Sequence, residues 1–310
     1  MKITIIGYKN HSLRLHDLLN KLGYESTMWN HHEDKFSEVI DSDCVFISSP
    51  SDTHINYIKK ILKESPSSYI FCEKPPTTDK KDLKYLKGLD SSVKEKIFFN
   101  YNYRFSLLSQ LVGENDLGRP VHFNFISSHG LALKDSYKDN WRFSSTNELL
   151  GVYGTVAIHY IDLCMWLLGE YESIKINKHN YSNSKTADSI TINMKFKNGC
   201  TTNIFVSYVT PFINKSDLIF DNGILELDNG QIKLYEPRES FDENGHFTKP
   251  YSRCVIDRES SRDYYDVSLR QSLFFFIESV IKKNKFKVSD FNMSIESNEL
   301  LLNKIGDVND

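Results

Sequence analysis

The chain has 310 residues, 40% of them hydrophobic, and a formal net charge of −3. That length and apolar content support two domains of ordinary size, and no uninterrupted apolar run approaches the length of a membrane span. Lysine and arginine are spread along the chain and not gathered into a stripe, which argues against a nucleic-acid binder and leaves a globular, cytoplasmic protein as the expectation.

The N-terminus runs directly into a strand, without a basic and apolar leader. Residues 3–6 form a short β-branched run, Gly7 breaks it, and an amphipathic helix over 12–22 follows, the strand, turn, helix order of a dinucleotide-binding entrance. Where G-x-G-x-x-G places its second and third glycines, the chain has Lys9 and Ser12. Further strands are expected over 27–29, 44–48, 69–72 and 97–100, with helices over 34–40, 53–64 and 79–89 between them. This alternation predicts an α/β domain over 1–105 with a doubly wound parallel sheet, whose ligands sit beyond the carboxyl ends of the strands.

After a helix over 106–113 and a turn over 116–120, the pattern changes to longer strands of period two, over 122–126, 191–196 and 202–208. Asn198-Gly199, Asn222-Gly223 and Asn229-Gly230 mark hairpin turns, so the second domain, over 106–310, is expected to be α+β with an open, mostly antiparallel sheet. One long helix over 148–168, closed by Gly169, interrupts the strands. Residues 236–264 read as a long loop bordering a site. Two helices over 265–283 and 294–305 end the chain. Their Phe274-Phe275-Phe276 run is too apolar to be exposed, and the pair is expected to pack back on the first domain.

The five cysteines, Cys44, Cys72, Cys164, Cys200 and Cys254, are odd in number and far apart, with no C-x-x-C pair, so they read as small hydrophobes and no metal site is expected.

Two stretches carry chemistry. Cys72-Glu73-Lys74-Pro75-Pro76 falls where the fourth strand ends, the place a parallel sheet presents reactive groups, and its prolines give the lysine a set direction. On the long helix Thr155, His159 and Asp162 stand four and three residues apart and share one face of an otherwise apolar element. Taken singly, a charged loop and a satisfied core histidine account for these residues as well.

Together the motifs resemble the Gfo/Idh/MocA superfamily of glucose-fructose oxidoreductases and inositol dehydrogenases. Glu73-Lys74-Pro75 is similar to its E-K-P, the His159 helix to its D-x-x-x-H-x-x-D, Ser49-Pro50 with His54 to its S/T-P-x-x-x-H, and Tyr101-Asn102-Tyr103-Arg104-Phe105 to its Y-x-x-R-F. The Gly199 hairpin and residues 221–227 match its sheet, so the resemblance covers essentially the whole chain. It implies a Rossmann domain followed by an open-faced sheet domain, and an NAD(P)-dependent oxidoreductase acting on a hydroxyl or keto group of a sugar or sugar nucleotide. By position it assigns Lys74 and His159 to the reacting hydroxyl, with Asp162 and Thr155 beside them on the helix. Cofactor contacts fall on Gly7, Tyr8, Lys9, Asn10, His11, Ser12, Asn30, Ser49, Pro50, His54 and Glu73. Tyr101 and Arg104 line the substrate side, or else are a strand aromatic and a salt-bridged arginine. The resemblance also implies a homodimer or homotetramer formed through open sheet faces too apolar to leave in water.

The chain departs from the family at Thr155, where an aspartate is usual, and at Lys9 and Ser12. At the end of the second strand, Trp29-Asn30-His31-His32 lacks the acid that usually holds the ribose hydroxyls of NAD, so NADP(H) is slightly preferred over NAD(H). These departures leave open two alternatives: a cofactor-deficient binding or regulatory subunit, and non-redox sugar chemistry.

Overall fold

A computed structural model describes residues 1–30, 32, 35–236, 241–257 and 261–304. The chain divides into two compact units: Met1–Asn102 together with Arg270–Asn303, and a second built on Tyr103–Leu269. The reading at His31, and the expected helix ends at residues 34 and 305, lie outside the described residues.

The first unit runs β1 (Ile3–Ile6), α1 (Asn10–Lys21), β2 (Ser26–Trp29), α2 (Ser37–Ile40), β3 (Cys44–Ile47), a 3₁₀ turn over Ser51–Thr53, α3 (His54–Glu64), β4 (Tyr69–Glu73), α4 (Lys80–Lys87), α5 (Ser91–Lys94) and β5 (Ile97–Asn100). The five strands are parallel in the order β2-β1-β3-β4-β5. Every residue of β1, β3 and β5 is buried, as apolar strands covered on both faces require. Strand order reverses between β1 and β3, the switch point outside which such sheets take ligands.

The second unit contains α6 (Leu107–Glu114), β6 (Pro120–Ser128), α7 (Trp141–Ser144), α8 (Ile158–Leu168), β7 (Tyr171–His179), β8 (Ser189–Phe196), β9 (Thr201–Ser207), β10 (Ile213–Phe220), β11 (Gly223–Asp228), β12 (Gln231–Tyr235) and β13 (Ser252–Ile256). Its eight strands lie in the order β13-β12-β11-β10-β6-β9-β8-β7. All pairs are antiparallel except β6 with β9. The β11–β12 turn places Asn229 at φ 49 and Gly230 at φ 102, the positive values that Asn-Gly tolerates.

One sheet face is apolar. Phe123, Phe125, Ile192, Ile204, Leu218 and Leu225 are wholly buried, and Phe125 meets Tyr160 of α8 with ring centroids 5.2 Å apart. The opposite face is mixed. A transverse row of paired residues, Lys175, Asn193, Asn203, Asn124, Asp217, Glu226 and Lys233, crosses seven strands. Asn203 Nδ2 donates to Asn124 Oδ1 at 2.9 Å. Ile126, Phe205, Ile219 and Ile224, each two residues along its strand from this row, share the same face.

Two expectations are corrected. The single helix over 148–168 is three pieces: a 3₁₀ turn at Glu148–Leu150, a π turn at Tyr153–Ala157, and α8. The break falls at Gly151, and Gly154 in the π turn beyond it is tightly packed, since a Cβ there would lie 2.1 Å from the Leu149 carbonyl oxygen. Gly169 does close α8, at φ 80. The loop over 236–264 contains β13, an edge strand paired with β12, whose exposed Ser252-Arg253-Cys254 gives little apolar signal.

The chain closes with α9 (Ser261–Phe275), a π turn at Phe276–Ile281 and α10 (Val288–Lys304). Phe276 is wholly buried, with its ring 5.6 Å from Phe46, 5.3 Å from Phe71 and 5.6 Å from Phe98, whereas Phe274 is 49% exposed. The aromatic run therefore does not pack as a block, since successive helical residues diverge by about 100°. Among the described residues no helix is long and apolar enough to cross a membrane, and no group of three or more His, Cys, Asp or Glu is placed to hold a metal ion.

Candidate active site

The first unit presents its polar groups at the carboxyl edge of its sheet. Gly7 leaves β1 at φ +133, and a Cβ there would lie 2.4 Å from Ser12 Oγ, so glycine is required at this position. The next two departures from the fingerprint fit without conflict. Lys9 has extended backbone, φ −98 and ψ −177, open to any residue, and its exposed side chain lies beside the Tyr8 ring. Ser12 is 2% exposed and its hydroxyl donates to Ser48 Oγ at 3.2 Å, tying α1 to the end of β3. Among the described residues no side-chain capping hydrogen bond closes the head of α1, and a helix N-terminus offers N–H groups and a positive dipole end to an anion. The turn fits a dinucleotide pyrophosphate.

Beyond β3, Thr53 Oγ1 donates to the Pro50 carbonyl at 2.7 Å and lies 2.7 Å from Ser49 Oγ, closing the 3₁₀ turn. His54, wholly buried, has Nδ1 2.9 Å from the Pro75 carbonyl and Nε2 2.9 Å from that of Ser49. Burial pushes its pKa below the ordinary value, against the upward pull of those carbonyls and of Glu73. His54 thus ties two loops together and is a structural tie to the E-K-P segment.

At the end of β4, Glu73 is 8% exposed. Its Oε1 is 2.8 Å from His11 Nε2 and accepts from Asn100 Nδ2 at 2.8 Å. Asn100 Oδ1 accepts in turn from Ser272 Oγ at 2.6 Å. Burial pushes the Glu73 carboxyl up, but the charge and hydrogen bond of His11, the Asn100 amide and the charge of Lys74 outweigh it and hold the group below its ordinary value. A few residues on, both the N–H and the carbonyl of Thr77 bond the Asn298 side chain, at 2.9 and 3.1 Å. From Phe71 to Thr77 every residue is buried except Lys74, which is half-buried. Tyr101 is 1% exposed and its hydroxyl donates to the Ser294 carbonyl at 3.2 Å, which makes it a core aromatic and not a substrate contact. Asn30 accepts from the His32 amide at 3.1 Å, a turn contact of its own side chain.

The second unit supplies the helix residues. His159, in the first turn of α8, is 7% exposed and stacked on Tyr103, with ring centroids 4.7 Å apart and planes at 25°. Tyr103 meets Tyr160 and Tyr264 edge-on, and burial foremost pushes its hydroxyl well above the ordinary value. Asp162 is wholly buried and takes the Arg104 guanidinium in a two-pronged pair, Nε to Oδ2 at 2.8 Å and Nη2 to Oδ1 at 2.5 Å. Arg104 stacks over Trp166 at 5.1 Å. Of the two readings of Arg104, the salt-bridged one holds. Thr155 donates to the Gly151 carbonyl at 2.7 Å and its oxygen is hydrogen-bonded to the Tyr208 hydroxyl.

Sequence reasoning missed several of these groups. Asn100 ends an apolar strand at the same sheet edge as Glu73, a signal the strand-end rule could have used. Tyr103 lies inside the quoted Y-x-x-R-F segment, between the two residues chosen from it. Ser272, Asn298 and Tyr208 have no local signal, because their partners lie 172, 221 and 53 residues away.

Comparison with known proteins identifies the family and the fold. Residues 4–101 match a family model described as an oxidoreductase family NAD-binding Rossmann fold, and residues 105–226 match the GFO/IDH/MocA C-terminal domain. Levoglucosan dehydrogenase of Pseudarthrobacter phenanthrenivorans is 25% identical over 163 residues, covering 50% of this chain and 40% of that protein. Inositol 2-dehydrogenase of Rhizobium meliloti is 25% identical over 141 residues, 44% of this chain and 40% of the relative. The matches thus span well under half the length of these curated relatives. Among solved structures, UDP-N-acetylglucosamine 3-dehydrogenase GnnA from Acidithiobacillus ferrooxidans superposes with a TM-score of 0.77 at 15% identity, covering 98% of this chain and 96% of that one. A dehydrogenase (MviM) from Clostridium difficile does so at 0.77 and 17%, covering 99% of both. At such identities the likeness is one of fold.

Proposed function

The chain belongs to the Gfo/Idh/MocA oxidoreductase family, and from that premise we propose that it is an NAD(P)-dependent oxidoreductase interconverting a hydroxyl and a keto group on a sugar or sugar nucleotide. The observation that carries this reading is the phosphate turn: Gly7 is kept where a side chain cannot fit, Ser12 is accommodated by Ser48, and the head of α1 is uncapped. The cofactor-deficient alternative rests on Lys9, Ser12, Asn30 and Thr155, and of these neither Lys9 nor Ser12 obstructs the turn.

Gly7, the α1 head and the Ser49-Pro50 segment would hold the dinucleotide, whose nicotinamide accepts or returns the hydride when bound. His159 takes the hydroxyl proton during oxidation and gives it back during reduction. Lys74 donates to the reacting oxygen and stabilises the charge that develops there. Thr155 supplies a hydroxyl where an aspartate is usual, so no second carboxylate beside His159 comes from that position. Asp162 acts through Arg104, holding the helix that carries His159. NADP(H) is proposed over NAD(H) because Trp29, Asn30 and His32 offer no carboxylate against a 2′-phosphate. The dehydrogenases named above support a sugar-type substrate. A cytoplasmic homodimer or homotetramer is proposed by family analogy.

Titrating the purified protein with NADH and NADPH while following nicotinamide fluorescence tests the reading. Saturable binding of either supports it, tighter binding of NADPH supports the cofactor preference, and no binding of either at millimolar concentration overturns it.

A further inference from the structure

His11 is the second residue of α1 and lies beside the turn to which the dinucleotide is assigned, yet its ring is turned to the carboxylate that precedes Lys74. Because Glu73 is held below the ordinary carboxylate range, it is an acceptor only, and the hydrogen between the two belongs to His11 Nε2. The same carboxylate oxygen takes the Asn100 amide, which Ser272 orients in turn. Glu73 is thus held from α1, from β5 and from α9 at once, with Lys74 as its neighbour in a segment otherwise buried and tied down at Pro75 and Thr77. Nothing in the family's E-K-P motif calls for a histidine at position 11, and local helix chemistry has no need of one.

We propose that His11 is a positioning residue that couples the phosphate turn to Lys74 through the Glu73 carboxylate, so that a dinucleotide seated on the turn also orders the lysine that meets the substrate. This rests on the functional reading above for its ligand; the coupling itself is a property of the cofactor-free chain. The contact between His11 and Glu73 is a hydrogen bond to an ionised carboxylate, the stronger kind, and it joins the head of α1 directly to the segment that carries Lys74. Coupling of this kind commonly changes an affinity by about fivefold or more.

Hydrogen exchange read by mass spectrometry on the full-length chain tests it, with saturating NADPH or NADH as the probe. In the parent protein the cofactor protects both the segment over 7–13 and the segment over 72–78. In His11→Leu the cofactor still protects 7–13, but protection of 72–78 is lost and the dissociation constant rises about tenfold. His11→Gln, whose amide nitrogen reaches as far as Nε2, restores both, which a general loosening of α1 would not do. Without cofactor, His11→Leu speeds exchange over 72–78 and Glu73→Gln speeds it over 7–13. Equal cofactor protection of 72–78 in the parent and in His11→Leu overturns the coupling. Should the parent bind neither cofactor, the oxidoreductase reading fails, and the cofactor-free arm then decides the coupling alone: unchanged exchange over 72–78 in His11→Leu overturns it.

Discussion

Arg104 and Asp162 hold each other in a two-pronged ion pair from which solvent is almost wholly excluded, the side chains being 7% and 0% exposed. Both charges must be removed together or kept together, because a lone charge left in such a place has no water to compensate it. Arg104→Leu alone is expected to destabilise the second unit by about 3–5 kcal/mol. The double variant Arg104→Leu, Asp162→Leu is expected to be much less damaged than the sum of the two singles. Chemical denaturation of the four proteins as a double-mutant cycle measures this, and additive losses would refute the pair's importance.

His159 stacks on Tyr103, and Lys74 is the half-open residue of a buried segment. On the proposed mechanism His159→Ala and Lys74→Ala each lower kcat by about 10²–10⁴-fold while the nicotinamide dissociation constant changes little. Steady-state rates and fluorescence titration on the same preparations separate the two quantities. Full activity in either variant sinks the role assigned to that residue.

Acid sensitivity follows from two groups of the first unit. His54 has its pKa lowered by burial from 6.5, so the unfolded chain binds its proton first. Its contribution is complete above about pH 6.5 and is lost as pH falls toward the lower folded value. Glu73 is held below 4.5 by His11, Asn100 and Lys74 in spite of burial. Its contribution is present above about pH 4.5 and disappears as pH falls through the folded value. The melting temperature should therefore drop in two stages between about pH 7 and pH 3. Glu73→Gln flattens the lower stage and His54→Asn the upper one; an unaltered profile in both contradicts the assignment.

Two glycine substitutions should act in opposite directions. A Cβ at Gly154 meets the Leu149 carbonyl oxygen at 2.1 Å, backbone that cannot step aside, so Gly154→Ala is expected to lose about 1–3 kcal/mol or more. Gly113 lies inside α6 with nothing within 4 Å, so Gly113→Ala is expected to gain up to about 1 kcal/mol. Thermal melts of the pair check both signs.

Local chemistry in the chain reached far in some places. The β-branched run before Gly7, the apolar strands at 44–47 and 97–100 and the Asn-Gly turns follow from spacing and backbone preference, and the structure has them there. The expected helix over 148–168 extends too far because its composition is helical throughout, while the π turn after Gly151 depends on how closely Leu149 approaches Gly154. The edge strand β13 has the composition of a loop because an exposed edge needs no apolar alternation.

Sequence by itself determined the two kinds of sheet and the family, and pointed to the residues proposed for the chemistry, because hydrophobic period, turn residues and motif order are local properties of the chain. Only the tertiary structure decided which groups those residues meet: Arg104 for Asp162, Tyr103 for His159, Tyr208 for Thr155, and His11 with Asn100 for Glu73. Such pairings join elements far apart in sequence, and their energies come from burial and charge in a packed interior. No run of neighbouring residues encodes that.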